Sequence, residues 1–288
     1  MDPTLFLVAA FGAMLAWGVG DFLIQRSVRT VGSVQALAFI GIVGSVGLLP
    51  FVVNDFQVLA SWNGLIILIV LGVVTYAVAI MVFDALKDGK LAIIDVLLEL
   101  ELPVVIFLGF VFFKETLTGL QALIVAIIFV GMILIALERF SWKKHKWEKG
   151  VLLGVAAAVG IGVLDFLTAA GARAVSPLMA VWVPWVIFTI ISFVVIFYKK
   201  EFGLFIKNAK AHRNLVFMTG FADTIAWLFY ALALTGAGIG ITTAITEAYP
   251  AIAVVLGVLL NKERIRKHQW LGVLLTIGGS IALAILIT

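Results

Sequence analysis

Apolar residues occupy blocks of about twenty along nearly the whole chain, separated by short polar breaks. Ten blocks can be traced, at roughly 4–25, 33–53, 63–86, 91–113, 118–137, 149–171, 177–198, 213–235, 239–260 and 268–287. A helix needs about 20 mostly apolar residues to cross the hydrocarbon core of a bilayer, so each block predicts one spanning helix. The first block, LFLVAAFGAMLAWG from Leu5, has neither a basic leader nor a small-residue cleavage site and reads as a span, not a removed signal. Two breaks are longer than the rest. Residues 138–149 form a hydrophilic seam at mid-chain, and Lys199–Arg213 predicts a basic amphipathic segment lying along the interface.

Composition strengthens this picture. The chain is 64% apolar and 12% charged, whereas soluble domains are close to half apolar and about a quarter charged. The fold class is therefore all-α, a polytopic membrane protein. Cysteine is absent, which removes disulfides and thiolate chemistry. His145, His212 and His268 all fall in breaks without metal-ligand spacing, and no phosphate-binding loop occurs, so neither metal nor cofactor is expected.

Charge placement adds an orientation. Of the 20 basic residues, all but Lys114 and Arg173 lie after the first, third, fifth, seventh or ninth block. With ten spans those breaks share one side, which the positive-inside rule makes cytoplasmic, leaving both termini outside. Basic residues dispersed in this way set topology and give no patch for nucleic acid.

The chain also repeats itself. Ile245–Gln269 (ITEAYPAIAVVLGVLLNKERIRKHQ) follows Leu97–Gln121 (LLELELPVVIFLGFVFFKETLTGLQ) at an offset of 148. Glu247 falls on Glu99, Lys262-Glu263 on Lys114-Glu115 and Gln269 on Gln121, while Pro250 and Pro103 miss by one residue. Gly18-Val-Gly-Asp21 resembles Gly162-Val-Leu-Asp165 at an offset of 144, and each Asp precedes an arginine by eight residues, Arg29 and Arg173. Gly72 aligns with Gly220, and Gly131 with Gly279. Each unit has five spans, residues 1–140 and 141–288, and an odd number inverts the second copy in the membrane. Inverted repeats are typical of secondary transporters, with substrate bound near the midplane where the repeats meet.

Ten spans, two inverted five-helix units and a proline-bearing span running into a Lys-Glu turn resemble the drug/metabolite transporter superfamily, and within it the EamA-type group. The carrying segments are Pro103 to Glu115 and Pro250 to Glu263, and the resemblance covers the whole chain. It implies a membrane transporter without identifying a substrate. Members of that group often have cytoplasmic termini; the charges here argue for termini outside, and the charges are followed. The first span also resembles that of the small multidrug exporters, where an acid comparable in place to Asp21 exchanges protons.

Acids within spans are costly, roughly 2.5–3.5 kcal/mol each near the centre, so they are the first candidates for chemistry. Glu99 and Glu247 lie about eight residues into their blocks, within about 5 Å of the midplane at a rise of 1.5 Å per residue. A pair of this kind suits an amine, a cation or a proton; a neutral carboxyl acting as interhelical glue is the alternative. Asp95 shares a helix face with Glu99, whereas Glu101 lies about 200° around the helix and is expected to contact a different neighbour. Asp84 reads as a solvated helix end. Asp21 and Asp165 are paired by the repeat, with Arg29 and Arg173 as candidate gate or structural partners. Asp223 has no acidic mate, Thr75 aligning with it, and is a candidate substrate contact. Trp17, Trp182, Trp185 and Trp227 lie deep in their blocks and, with Tyr249, are candidates to line a pocket. Pro103 and Pro250 predict kinks beside the acids.

These features point to a secondary transporter that exports or exchanges a small metabolite, such as an amino acid, by alternating access, possible proton coupling included. An integral-membrane enzyme acting on a lipid-linked substrate is the rival reading. The protein's partners are then a small solute, lipid and protons, with the chain a monomer or homodimer. A reporter fused to the C-terminus should report from outside the cell; a cytoplasmic signal would overturn the orientation.

Overall fold

The computed structural model describes residues 2–88, 98–137, 149–261 and 265–287. Twelve α-helices account for almost all of them, and no strand occurs among the described residues. In chain order they are α1 Pro3–Val31, α2 Ser33–Val52, α3 Trp62–Asp88, α4 Glu101–Leu108, α5 Gly119–Ala136, α6 Lys149–Ala174, α7 Pro177–Tyr198, α8 Phe202–Ala211, α9 Arg213–Ala233, α10 Ile239–Thr246, α11 Tyr249–Asn261 and α12 Lys267–Ile285. Local chemistry sets several ends. Asp2 accepts from Thr4 N at 2.6 Å ahead of Pro3, a bond that holds its carboxyl below the usual range. Ser176 caps α7 through Met179 N, with Pro177 in the first helical position. α1 ends at Gly32, whose φ of +84° a side chain would strain. Gln121 and Gln269, aligned by the repeat, each reach back to the backbone N–H three residues earlier, at 2.9 and 3.0 Å.

The outer surface is apolar. Phe22, Phe107, Phe112, Val194, Leu274 and Ile285 are each more than 60% exposed, a surface that suits lipid and not water. Among the described residues, eight helices are long and apolar enough to cross a membrane. The fourth and ninth blocks depart from the expected continuous spans. α4 passes into a π-helical turn, Gly109–Phe113, giving a 13-residue apolar piece with turn residues at 99–100 before it. The ninth block is split into α10 and α11 by turn residues at 247–248. A piece of 13 residues reaches only about 20 Å, short of the roughly 30 Å core.

The two breaks are repeat mates, 99–100 and 247–248. Pro103 and Pro250 do not kink a continuous helix as expected. They sit in the first turn after each break, where a missing N–H leaves no bond unmade.

Helix neighbours obey the same symmetry. α1 packs on α9 and α6 on α3; α2 packs on α9 and α7 on α3; α1 meets α11 and α6 meets α4. α2 against α7 and α5 against α12 are self-paired. Glycine contacts reproduce this residue by residue. A methyl at Gly72 would meet Ile187 within 2.8 Å and one at Gly220 would meet Val43 at 2.8 Å, the partners being repeat mates. Likewise Gly18 approaches Ile252 and the Tyr249 carbonyl, as Gly162 approaches Val104 and the Glu101 carbonyl.

α8 is the amphipathic segment expected in the seventh break. Phe205 is buried, stacked on Phe39 at 4.3 Å, and Lys207 and Lys210 are exposed. Asn208 donates to Gln35 Oε1 at 2.8 Å, tying α8 to the start of α2.

A methyl at Gly131 would lie 2.9 Å from the Gly272 carbonyl oxygen, with backbone that has no side chain to yield, whereas one at Gly47 meets nothing within 4 Å. Gly131→Ala should therefore cost about 1–3 kcal/mol, an overpacking penalty. Gly47→Ala should be neutral or slightly stabilising. Thermal unfolding of the purified protein in detergent separates the two; equal midpoints would refute the close α5–α12 contact.

Candidate functional site

Gly18 and Gly162 bring α1 and α6 against the starts of α11 and α4. One turn further along, on the same helix face, stand Asp21 and Asp165. Each acid is thereby carried to a helix break that itself bears carboxyls, Glu247 for one and Glu99 with Glu101 for the other. Glu99, Glu101, Asp165 and Glu247 are buried, all 9% exposed or less. Asp21 is half-buried. The Glu101 and Glu247 carboxyls lie within hydrogen-bonding reach, and Asp165 and Glu99 are near enough to interact with Glu101 electrostatically. Acids from both repeats thus meet at one place.

Tyr230 on α9 completes the group. Its hydroxyl faces Asp165 and is 2.7 Å from Thr243 Oγ1 on α10, so Thr243, Tyr230 and Asp165 form a polar chain. The second oxygen of Asp165, Oδ2, is buried and has no hydrogen-bond partner. A buried carboxylate oxygen left this way is costly unless a proton, cation or donor arrives.

One side of the acid cluster is walled by aromatic rings. Trp17 lies 5.4 Å from Trp227, 5.2 Å from Tyr230 and 6.2 Å from Tyr249, centroid to centroid. Trp185 extends the wall at 6.1 Å from Trp227 and donates to Thr224 Oγ1 at 3.1 Å. Asp223, buried midway along α9, is within reach of the Trp227 indole one turn on. The wall ignores the two-fold: the repeat mates of Trp17, Trp185, Trp227 and Tyr230 are Ile161, Gly41, Ala79 and Val82. The bundle is symmetric, and this lining is not.

The structure therefore brings together Asp21, Glu99, Asp165, Glu247, Trp17, Trp227 and Tyr249, with Asp223 and Trp185 along the wall. Trp182 stands apart, donating to the Ser45 carbonyl at 2.9 Å and packing on Phe56. Asp95 lies outside the described residues, as do Lys262 and Glu263. Arg29 is exposed on the last turn of α1. Asp84, expected to be a solvated helix end, is exposed near the end of α3 and also accepts from Ser33 Oγ at 2.6 Å. Two members were not foreseen. The 200° that separates Glu101 from Glu99 presumes an unbroken helix, and the turn at 99–100 cancels that angle. Tyr230 was legible as the residue seven beyond Asp223, on the same face of α9.

Arg173 does not turn back to Asp165. It pairs with Glu115 of the Lys-Glu turn at 2.6 Å, donates to the Leu234 and Ala237 carbonyls at 2.8 and 2.9 Å, and lies over the Phe113 ring. The other Glu115 oxygen accepts from Ile239 N at 2.6 Å, capping α10. One carboxylate thus joins α6, the turn after α4 and the start of α10. Beside this latch is a cleft of about 440 Å³ lined by Thr235 to Gly238.

Residues 4–137 and 148–285 each match the EamA-like transporter family. Twenty-nine chains of known structure match as well. One, described only as a crystal structure of a protein, has a TM-score of 0.73 over 97% of this chain and 96% of its own. It is 17% identical, a likeness that shows the fold alone. No curated protein sequence matches the chain. With two family matches that together span nearly its whole length, broken at mid-chain where the hydrophilic seam lies, the chain belongs to the EamA-like transporter family.

Proposed function

We propose that this protein is a secondary transporter that exports or exchanges a small metabolite, an amino acid or related amine-bearing compound, by alternating access at a cell membrane. The broken fourth and ninth blocks are then spans in two pieces, making ten in all, with both termini outside. The observation that carries the reading is the meeting of buried carboxyls from both repeats at two helix breaks. Discontinuous helices at a repeat interface are where transporters place substrate and coupling ions. Ionisable groups inside spans mark such paths.

The chemistry follows from the acids. Two carboxylates in hydrogen-bonding reach repel unless a proton lies between them, and a primary ammonium can take that proton's place. Proton and amine would then occupy the Glu101–Glu247 pair alternately, which is the requirement for exchange. The aromatic wall offers π-faces to the ammonium or to an apolar part of the substrate. The unpartnered Asp165 oxygen offers a further acceptor.

Arg173 acts as a gate in this reading. Its bonds to Glu115 and to the connection between α9 and α10 hold one face closed, and breaking them frees α10 to move.

Two measurements test the proposal. In proteoliposomes under a pH gradient, screened with amino acids and amines, Glu247→Gln and Glu101→Gln should each cut gradient-driven flux at least tenfold. Gradient dependence unchanged in both variants would remove the coupling role. Because the chain has no cysteine, Ala237→Cys supplies a single probe beside the latch. Adding Glu115→Gln should raise its labelling rate by a membrane-impermeant maleimide several-fold; an unchanged rate would make the latch purely structural.

A further inference from the structure

At the end of α9 opposite the latch, about 30 Å away along a 21-residue helix, lies a cleft of about 520 Å³. It is framed by the last turns of α1 and by the junction of α8 with α9. Arg26, Lys210, His212 and Arg213 line it, and no carboxylate does. The one ion pair found among the described residues is Arg173–Glu115, at the far end, so among those residues these cations have no counter-ion. The start of α9 adds to the field. His212 stands at its N-cap without a capping side-chain bond, so no N-cap side chain offsets the positive end of the helix beside the cleft.

The cleft is not lined by charge alone. Leu23, Leu215 and Met218 form part of it, and Met218 is 57% exposed. Outward stripes lead away along both helices. On α1, exposed Leu15, Val19 and Phe22 follow helical spacing and run into Arg26. On α9, exposed Phe221 and Met218 run down to Asn214 in the same way. The α1 stripe is apolar for about two turns and the α9 stripe for about one, and each ends at the basic cleft.

We propose that this cleft binds the headgroup of an anionic phospholipid, with its acyl chains along the outer stripes of α1 and α9. The phosphate is the shared chemistry with a free phosphate compound. The apolar stripes favour the lipid, because a soluble phosphate has no use for them. The α8 helix, basic and amphipathic, lies at the same level and closes the headgroup side. Occupancy would hold α8 to the foot of the α1–α9 pair, the two helices that carry Asp21, Trp17, Asp223 and Trp227.

Native mass spectrometry of the full-length protein in detergent tests this with phosphatidylglycerol, phosphatidylcholine and inorganic phosphate as separate probes. Phosphatidylglycerol should bind at least tenfold more tightly than phosphatidylcholine. The Arg26→Gln, Arg213→Gln double variant should lose that preference while retaining its unfolding midpoint in phosphatidylcholine. Should the double variant not fold, the single Lys210→Gln variant should still weaken phosphatidylglycerol binding several-fold. Equal binding of the two lipids would overturn the proposal, as would phosphatidylglycerol binding untouched by the substitutions. Phosphate competing with phosphatidylglycerol at millimolar concentration would instead assign the cleft to a soluble anion.

Discussion

A carboxyl group inside a hydrocarbon-faced bundle must find a proton, a cation or several donors, because no water is at hand to solvate it. Five such groups converge here, and the backbone around them is shaped to make that tenable. Breaking the helices at 99–100 and 247–248 frees backbone groups beside the acids, while helix starts at Glu101 and Tyr249 turn partial positive charge toward them. Gly18 and Gly162 are small so that α1 and α6 can approach those starts, and the acid one turn along follows them in. Removing either the glycine or the break would leave a carboxyl facing packed side chains.

The two-fold relation explains the frame and then stops. Glycine contacts, helix pairings and the placing of the breaks all have copies. The aromatic wall has none: the repeat mates of Trp227 and Tyr230 are Ala79 and Val82. Symmetry in the scaffold would let two halves exchange roles in the proposed alternating access. Asymmetry in the lining is what gives a ligand one preferred orientation, since a symmetric wall would bind it in either sense.

Much of this was legible in the residues because membrane helices carry a strong length signal. Spans, the repeat and the family all follow from blocks of apolar residues and from a spacing of 144 or 148. The acids were legible because each is an exception to its surroundings. The helix breaks were not. Hydropathy is continuous through Glu99 and Glu247, and a proline near them suggests a kink at the proline itself. The break instead falls just before it, because proline fits a first helical turn at no cost in hydrogen bonds. That displacement of a few residues is what moved Glu101 into the cluster. Arg173 was misdirected for a related reason: an eight-residue spacing identifies a helix face, but Glu115 reaches the same place from a different helix, and only the packing reveals it.

The two ends of α9 carry opposite solutions to the same problem. At one end Arg173 is satisfied within the protein, by a carboxylate, two carbonyls and a ring, and so ties three elements together. At the other, Arg26, Lys210 and Arg213 form no ion pair among the described residues and line an outward cleft at the level where α8 lies. A helix fixed by protein contacts at one end and by its surroundings at the other is anchored unequally. In the proposed cycle the α1–α9 pair, which carries Trp17, Trp227 and Tyr230 of the aromatic wall, would pivot about the internally bonded end or be released from it. Which end yields first depends on whether the ion pair or the unpaired cations meet the stronger partner.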